Sequence, residues 1–199
     1  MKNDLITEAS KLFPTLEHWQ GFLDLSALTV SIKESWLTEA TSRIRRHFMT
    51  SLDSQWAFEP FGAPLRDTRW FLKDYGSDSL ALYFTNYYRL SLGVWNPQNF
   101  KNQPVVDALK TSEYGSILVA FGRIDQQNTD GLQLIQHRDF SFASCDLKHL
   151  SESDLAWCAA HETDLLVAQA IEKIERFTND PSVTGAIRRL NDLALETRN

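Results

Sequence analysis

Four residues with metal-binding chemistry fall close together late in the chain, as Cys145-x3-His149-x8-Cys158-x2-His161. Thiolate and imidazole are the ligands zinc prefers, but structural zinc sites open on a cysteine pair about two to four residues apart, which is missing here. On a helix Cys158 and His161 share a face at i, i+3, with Cys145 and His149 in the loop before it. The expectation is a buried cysteine with solvent-facing histidines, and no metal is favoured. A second set could hold a divalent cation. Glu34 or Glu39 lies on a helix, Asp67 and Asp74 flank the short aromatic segment Arg69–Lys73, and Lys73 adds a cation beside them. Carboxylates so placed would bind Mg2+, which activates water and stabilises a leaving oxygen.

The third candidate is a surface. Twelve of the 23 aromatic residues lie between Trp56 and Phe100, so the aromatic content is local and invites a local explanation. Neighbouring rings such as Trp70-Phe71 and Tyr87-Tyr88 must point to opposite faces of a strand, so one core layer cannot take both. Either helices cover both faces of the sheet or some rings form a site. Trp and Tyr with interleaved arginines suit a protein-binding surface, and could also stack single-stranded bases. The contact candidates are Trp70, Tyr87, Tyr88 and Trp95, with Arg66, Arg69 and Arg89 fixing orientation.

The elements that must position these residues follow from periodicity and punctuation. Leu5, Ile6, Ala9, Leu12 and Phe13 recur at helical spacing until Pro14. Thr15 caps a second expected helix with Leu16, Trp19, Leu23 and Ala27 on one face, and Ile32, Trp36, Leu37, Ala40, Ile44 and Phe48 mark a third. The middle changes to strand character: Gln55–Glu59, Arg69–Lys73, Ser79–Thr85 and Tyr88–Trp95, the last two joined by a tight turn at Asn86-Tyr87. A short helix is expected at Val105–Thr111, and strands at Ser116–Ile124 and Leu132–Ala143 with an Asp-Gly loop between them. Ser151-Glu152-Ser153-Asp154 caps a helix expected to run from Ser153 to Phe177, about 37 Å. Asp180-Pro181 opens the last helix. The fold class is therefore α+β, with N-terminal helices, a central and mostly antiparallel sheet of five to six strands, and two C-terminal helices. As domains, residues 1–150 read as the α+β core (helices 3–50, sheet 54–143). Residues 151–199 read as a helical hairpin packed on that core or extending from it.

A helix followed by a sheet with carboxylates on its strands resembles the organisation of the PD-(D/E)XK nucleases. The resemblance implies a metal-dependent nuclease or phosphodiesterase using Glu39, Asp67 and Asp74, with Lys73 near the scissile phosphate and Mg2+ as cofactor. The chain departs from that pattern, since no (D/E)-x-K follows Asp67 on the hairpin. The one such tripeptide, Asp146-Leu147-Lys148, lies far downstream before a helix cap, which points to a degenerate relative. No G-x-S-x-G, P-loop, G-x-G-x-x-G or H-E-x-x-H is present. The net charge of −6 disfavours nucleic acid as partner. Residues 146–180 carry eight acidic against three basic side chains and form the acidic side of the molecule, while residues 40–100 are mildly basic. With no run of about 20 apolar residues, no signal peptide and only two cysteines, the expected setting is a bacterial cytoplasm without membrane contact. The expected function is a non-catalytic interaction or regulatory module that binds another protein, with no cofactor. The long C-terminal helices offer a route to a homodimer.

Overall fold

The computed structural model describes residues 8–62, 67–87, 89–93, 102–122, 126–128, 133–137, 139–143 and 151–196. Helical turns at residues 8–11 end before Pro14, and Thr15 caps α1, Leu16–Ser51, its hydroxyl accepting from the His18 amide at 3.3 Å. The two helices expected between Thr15 and Phe48 are thus one helix of 36 residues, about 54 Å long. The reason is local: nothing between Ala27 and Ile32 breaks a helix, and Thr29, the residue best able to compete, turns its hydroxyl back onto the Leu25 carbonyl. Only the C-terminal half meets the body. Leu37, Ala40, Thr41, Ile44 and Phe48 are buried at helical spacing, whereas every residue from Pro14 to Ser31 is exposed.

Four strands form an antiparallel meander: β1 Trp56–Phe61, β2 Asp67–Leu72, β3 Ala81–Thr85 and β4 Arg89–Gly93. Two short strands extend it beyond β4, β5 Gln126–Asn128 at the edge and β6 Gln133–His137 against β4. The register aligns Phe58, Trp70, Leu82, Leu92 and Leu134 in one row across five strands, and cross-strand partners share a face. With Trp56, Leu72, Phe84 and Leu90 this row makes the inner face. The β3–β4 turn has two left-handed residues, Asn86 at φ 51° and Tyr87 at φ 63°. Asn tolerates that conformation; for Tyr87 it is strain, held in place by burial of the ring.

Three expectations for the second half of the chain change. Of the strand expected at Ser116–Ile124, the described residues up to Phe121 are helix. After α2, Asn102–Leu109, and a 3₁₀ turn at Ser112–Tyr114, the segment forms α3, Gly115–Phe121. Its short apolar run has no period of its own, and burial of Ile117 and Phe121 at i, i+4 with Val119 turned out decides for helix. Of Leu132–Ala143 only Gln133–His137 is strand among the described residues. The helix expected from Ser153 to Phe177 breaks at Glu162 into α4, Glu152–His161, and α5, Thr163–Thr178. Glu162 leaves helical geometry (φ −126°, ψ 41°) and its carboxylate accepts from the Ala143 amide, while the Thr163 hydroxyl donates to the Ala159 carbonyl. The caps hold as expected. Ser151 and Asp154 form a reciprocal capping box, and Asp180 accepts from the Ser182 amide ahead of α6, Pro181–Glu196. The apolar faces of α4, α5 and α6 join the inner face of the sheet in one contiguous core from Leu37 to Ala194.

Candidate interaction surface

The aromatic band is the first place to look for a surface, and its inner half is core. Trp70 is 0% exposed, lying edge-on to Phe48 of α1 at 5.3 Å and stacked near Phe58 of β1. Tyr87 is equally removed from solvent at 4%. Both therefore fail as contact residues, because helices cover the face they occupy. The pleat rule itself holds: Phe71, next to Trp70, lies on the other face and is half-buried. On that outer face Arg69 donates through Nε to Glu59, its cross-strand partner, at 2.8 Å, and lies 5.8 Å from the Phe61 ring. Arg89 is half-buried. Arg66, Tyr88 and Trp95 lie outside the described residues.

The carboxylates proposed for Mg2+ do not come together. Glu39 is exposed on α1, Asp67 accepts from the Asn86 amide at 2.9 Å to hold the β3–β4 turn, and Asp74 accepts from Arg188 of α6 at 2.7 Å. Lys73 donates to the Ser54 carbonyl. Among the described residues no group of three or more His, Cys, Asp or Glu is placed to hold a metal ion. Cys158 and His161 do occupy one helix, yet Cys158 is fully buried while His161 is exposed. Cys145, His149 and the Asp146-Leu147-Lys148 tripeptide lie outside the described residues.

Nor do the titrating groups mark a chemical centre. Hydrogen bonds from the Ser151 hydroxyl and amide hold Asp154 below the usual carboxylate range, and Ser182 does the same for Asp180. Arg176 lowers Glu172, and Asp74 raises Arg188. Burial and the hydrogen bond to Asp192 push the Tyr75 phenol up to about 12. These are helix caps and ion pairs. An open cleft of about 760 Å³ lies between α3 and the α5–α6 turn, lined by Val119, Arg176 and Asp180 among others. Its ionic groups are already engaged, Glu175 with His47 at 2.8 Å and Arg176 with Glu172 at 2.6 Å.

What remains is the projecting half of α1. Leu12, Leu16, Leu25 and Val30 are each between 63% and 69% exposed, and Trp19, Phe22, Leu23 and Leu28 between 43% and 52%. At 100° per residue the apolar positions form two stripes whose centres lie about 140° apart and which meet at Trp19 and Phe22. One carries Leu16, Trp19, Leu23, Ala27 and Val30; the other carries Phe22, Leu25, Ile32 and Trp36. Between His18 and Ile32 the only charged side chain is Asp24. The tip is built: Phe13 folds back after Pro14 to lie 5.3 Å from Trp19 and 4.7 Å from Phe22, which also stack on each other. The root is aromatic too. His161 of α4 stacks on Trp157 at 4.3 Å and meets Trp36 edge-on at 6.3 Å, and Trp157 is 41% exposed. Lys33 donates to Ser153 across the same junction.

The Leu16–Trp19–Leu23–Ala27 stripe is legible in the sequence as one face of a helix, and no site was read from it. The missed signal was the second stripe behind it, because a surface helix needs only one. No helix among the described residues is long and apolar enough to cross a membrane. In comparisons with known proteins, no family model, curated protein or solved structure matches the chain.

Proposed function

We propose that the protein is a non-catalytic interaction or regulatory module of a bacterial cytoplasm, docking to another protein through the projecting half of α1. The observation that carries this reading is the run of eight large apolar side chains exposed between Leu12 and Val30. Apolar side chains so exposed and so concentrated in one segment are the feature that marks interaction sites, because monomeric proteins rarely leave contiguous apolar patches larger than a few hundred Å² uncovered. The same residues belong to no core, so the body does not need them to fold. The sheet, first read as the contact surface, instead serves as the platform on which the root of α1 is fixed.

The test is site-specific photo-crosslinking in the native host. A photoreactive residue at Trp19 or Leu23 should give a discrete protein adduct. The same residue at Val119, which is 81% exposed on the body, should give none. Leu23→Glu should abolish the adduct while leaving the melting temperature unchanged. Equal adducts from Val119, or adducts that survive Leu23→Glu, would overturn the reading.

A further inference from the structure

We infer that the free edge of β1 is a second docking site, which takes an extended segment of a partner polypeptide as an added antiparallel strand. That segment carries an acidic residue two positions before an apolar one. The site is built from β1 and the last turns of α1 and does not depend on the arm.

β1 closes one end of the sheet, with β2 as its strand neighbour. Its backbone groups divide by parity. The Lys73 amide donates to the Gln55 carbonyl at 3.0 Å, one step beyond the Trp56↔Leu72 pair in the same register. Antiparallel strands exchange bonds at alternate positions. Ala57, Glu59 and Phe61 therefore face β2, and Trp56, Phe58 and Pro60 turn their backbone groups outward. The Trp56 amide already donates to the Asp53 carbonyl at 3.0 Å, and Pro60 has no N–H to offer. What the edge presents, in order, is the Trp56 carbonyl, the Phe58 N–H and carbonyl, and the Pro60 carbonyl. An extended chain answers that pattern with four bonds. Its residue opposite Phe58 exchanges two, and the residues two before and two after donate to the Pro60 and Trp56 carbonyls. The missing N–H of Pro60 ends the pairing there, which keeps the edge from open-ended association.

Side chains specify the occupant further. A groove of about 400 Å³ follows the same edge, lined by Phe48, Met49 and Leu52 on one side and Trp56 and Phe58 on the other. Residues opposite Trp56, Phe58 and Pro60 share the face of Phe58, so they point along this groove. At Phe58 the opposing wall is Met49, 74% exposed, which suits an apolar side chain. Charge fixes the neighbouring position. Arg45 bonds the Thr68 hydroxyl and the Asp67 carbonyl, and Thr68 pairs with Pro60, so this turn of α1 stands at the Pro60 end of the groove. The next residue, Arg46, is exposed and has no ion pair among the described residues. At the other end Asp53 accepts from the Gln55 amide at 2.8 Å and Lys73 donates to the Ser54 carbonyl. Arg46 is thus the cation that a carboxylate entering beside Pro60 would meet.

The experiment selects binders to the full chain from a phage library of randomised short peptides, then follows one selected synthetic peptide by calorimetry and amide NMR. Selected sequences should share Asp or Glu two positions before an apolar residue, and the peptide should slow hydrogen exchange at the Phe58 amide. Phe58 replaced by phenyllactic acid keeps its ring and loses its N–H; affinity should fall about 5- to 10-fold. Arg46→Glu should lower affinity about 10-fold and turn the selected acidic residue into a basic one, with an unchanged circular dichroism spectrum. Should the ester variant fail to fold, Arg46→Glu and the Phe58 exchange rate read the site independently. A selection without the acidic position, a peptide that perturbs Trp19–Leu28 in place of β1, or affinity indifferent to both substitutions overturns the inference. So does Phe58 exchange that slows with protein concentration in the absence of peptide, which would make a second copy the occupant.

Discussion

Two tryptophans on the inner face of the sheet differ in one respect, and that difference sets up a matched experiment. Trp56 of β1 and Trp70 of β2 are 1% and 0% exposed and belong to one core. The indole N–H of Trp56 donates to the Thr184 hydroxyl of α6 at 3.2 Å, whereas that of Trp70 is buried with no partner among the described residues. Replacing either by phenylalanine empties a similar volume, costing about 2 kcal/mol in cavity and lost transfer energy. The hydrogen-bond contribution then has opposite signs. Trp56→Phe strands the Thr184 hydroxyl, itself 5% exposed, and adds about 1 kcal/mol, the low end of the usual cost because that hydroxyl can turn to its own helix backbone. Trp70→Phe removes an orphaned donor and returns about 1 kcal/mol. The expected losses are therefore about 3 kcal/mol for Trp56→Phe and about 1 kcal/mol for Trp70→Phe. Urea unfolding of both variants beside the wild type measures this. With a slope of about 2–3 kcal/mol/M, the midpoint should fall by about 1 M for Trp56→Phe and by less than about 0.5 M for Trp70→Phe. Thr184→Val added to Trp56→Phe should cost little more, since both partners are then gone. Equal midpoints for the two single variants, or the reverse order, would refute the reasoning that hydrogen-bond satisfaction separates these sites.

Two further outcomes follow from local chemistry. Asn191 of α6, fully buried, accepts from the Leu80 amide at 2.9 Å and donates to the Ile187 carbonyl at 3.2 Å, tying the entry to β3 to the helical layer. Asn191→Leu should lower unfolding free energy in urea by about 2–4 kcal/mol, because the Leu80 amide is left buried without an acceptor; a loss below about 1 kcal/mol would contradict this. For pH, Asp154 and Asp180 are depressed by the caps they make, so their stabilising effect is complete above the unfolded value and disappears as pH falls through the folded one. Amide-exchange protection in the first turns of α4 and α6 should hold from neutrality down to about pH 4 and then decline, and Asp154→Asn should remove the decline at α4 alone. Protection at α4 unchanged well below that range would show that the capping box does not hold the turn.

What the sequence made legible was chemistry confined to a few neighbouring residues. Thr15, the Ser151–Asp154 pair and Asp180-Pro181 cap where they should, because a cap is a bond between a side chain and an amide two or three residues on. The Asn86-Tyr87 turn was visible for the same reason. The inference that adjacent rings face both ways also stood, since it is pure strand geometry. The failures needed information from elsewhere in the chain. Gly115–Phe121 is helical because Ile117 and Phe121 meet the core together, and α4 ends at His161 because Glu162 bonds the Ala143 amide 19 residues earlier. Asp74 and Asp67 looked like a pair of metal ligands until Arg188 and the Asn86 amide took them.

The arm is a different kind of failure. Helical periodicity reports that a stripe will be covered and is silent on whether the cover comes from the same chain. Length could have decided it. A helix of 20 residues already spans about 30 Å, the diameter of a small domain. Five intervals of about 4.8 Å across six strands give a sheet about 24 Å wide. No body of that size can cover both ends of a 36-residue helix, so once nothing breaks the chain between Thr15 and Ser51, part of α1 must project. The sequence then says which part: the stripe that continues through Leu37, Ile44 and Phe48 enters the core, and the double stripe before it does not. Trp19 and Trp70, both on apolar stripes, differ for this reason alone. Trp70 sits where the protein's own helices reach it, and Trp19 lies beyond the reach of the body's described elements.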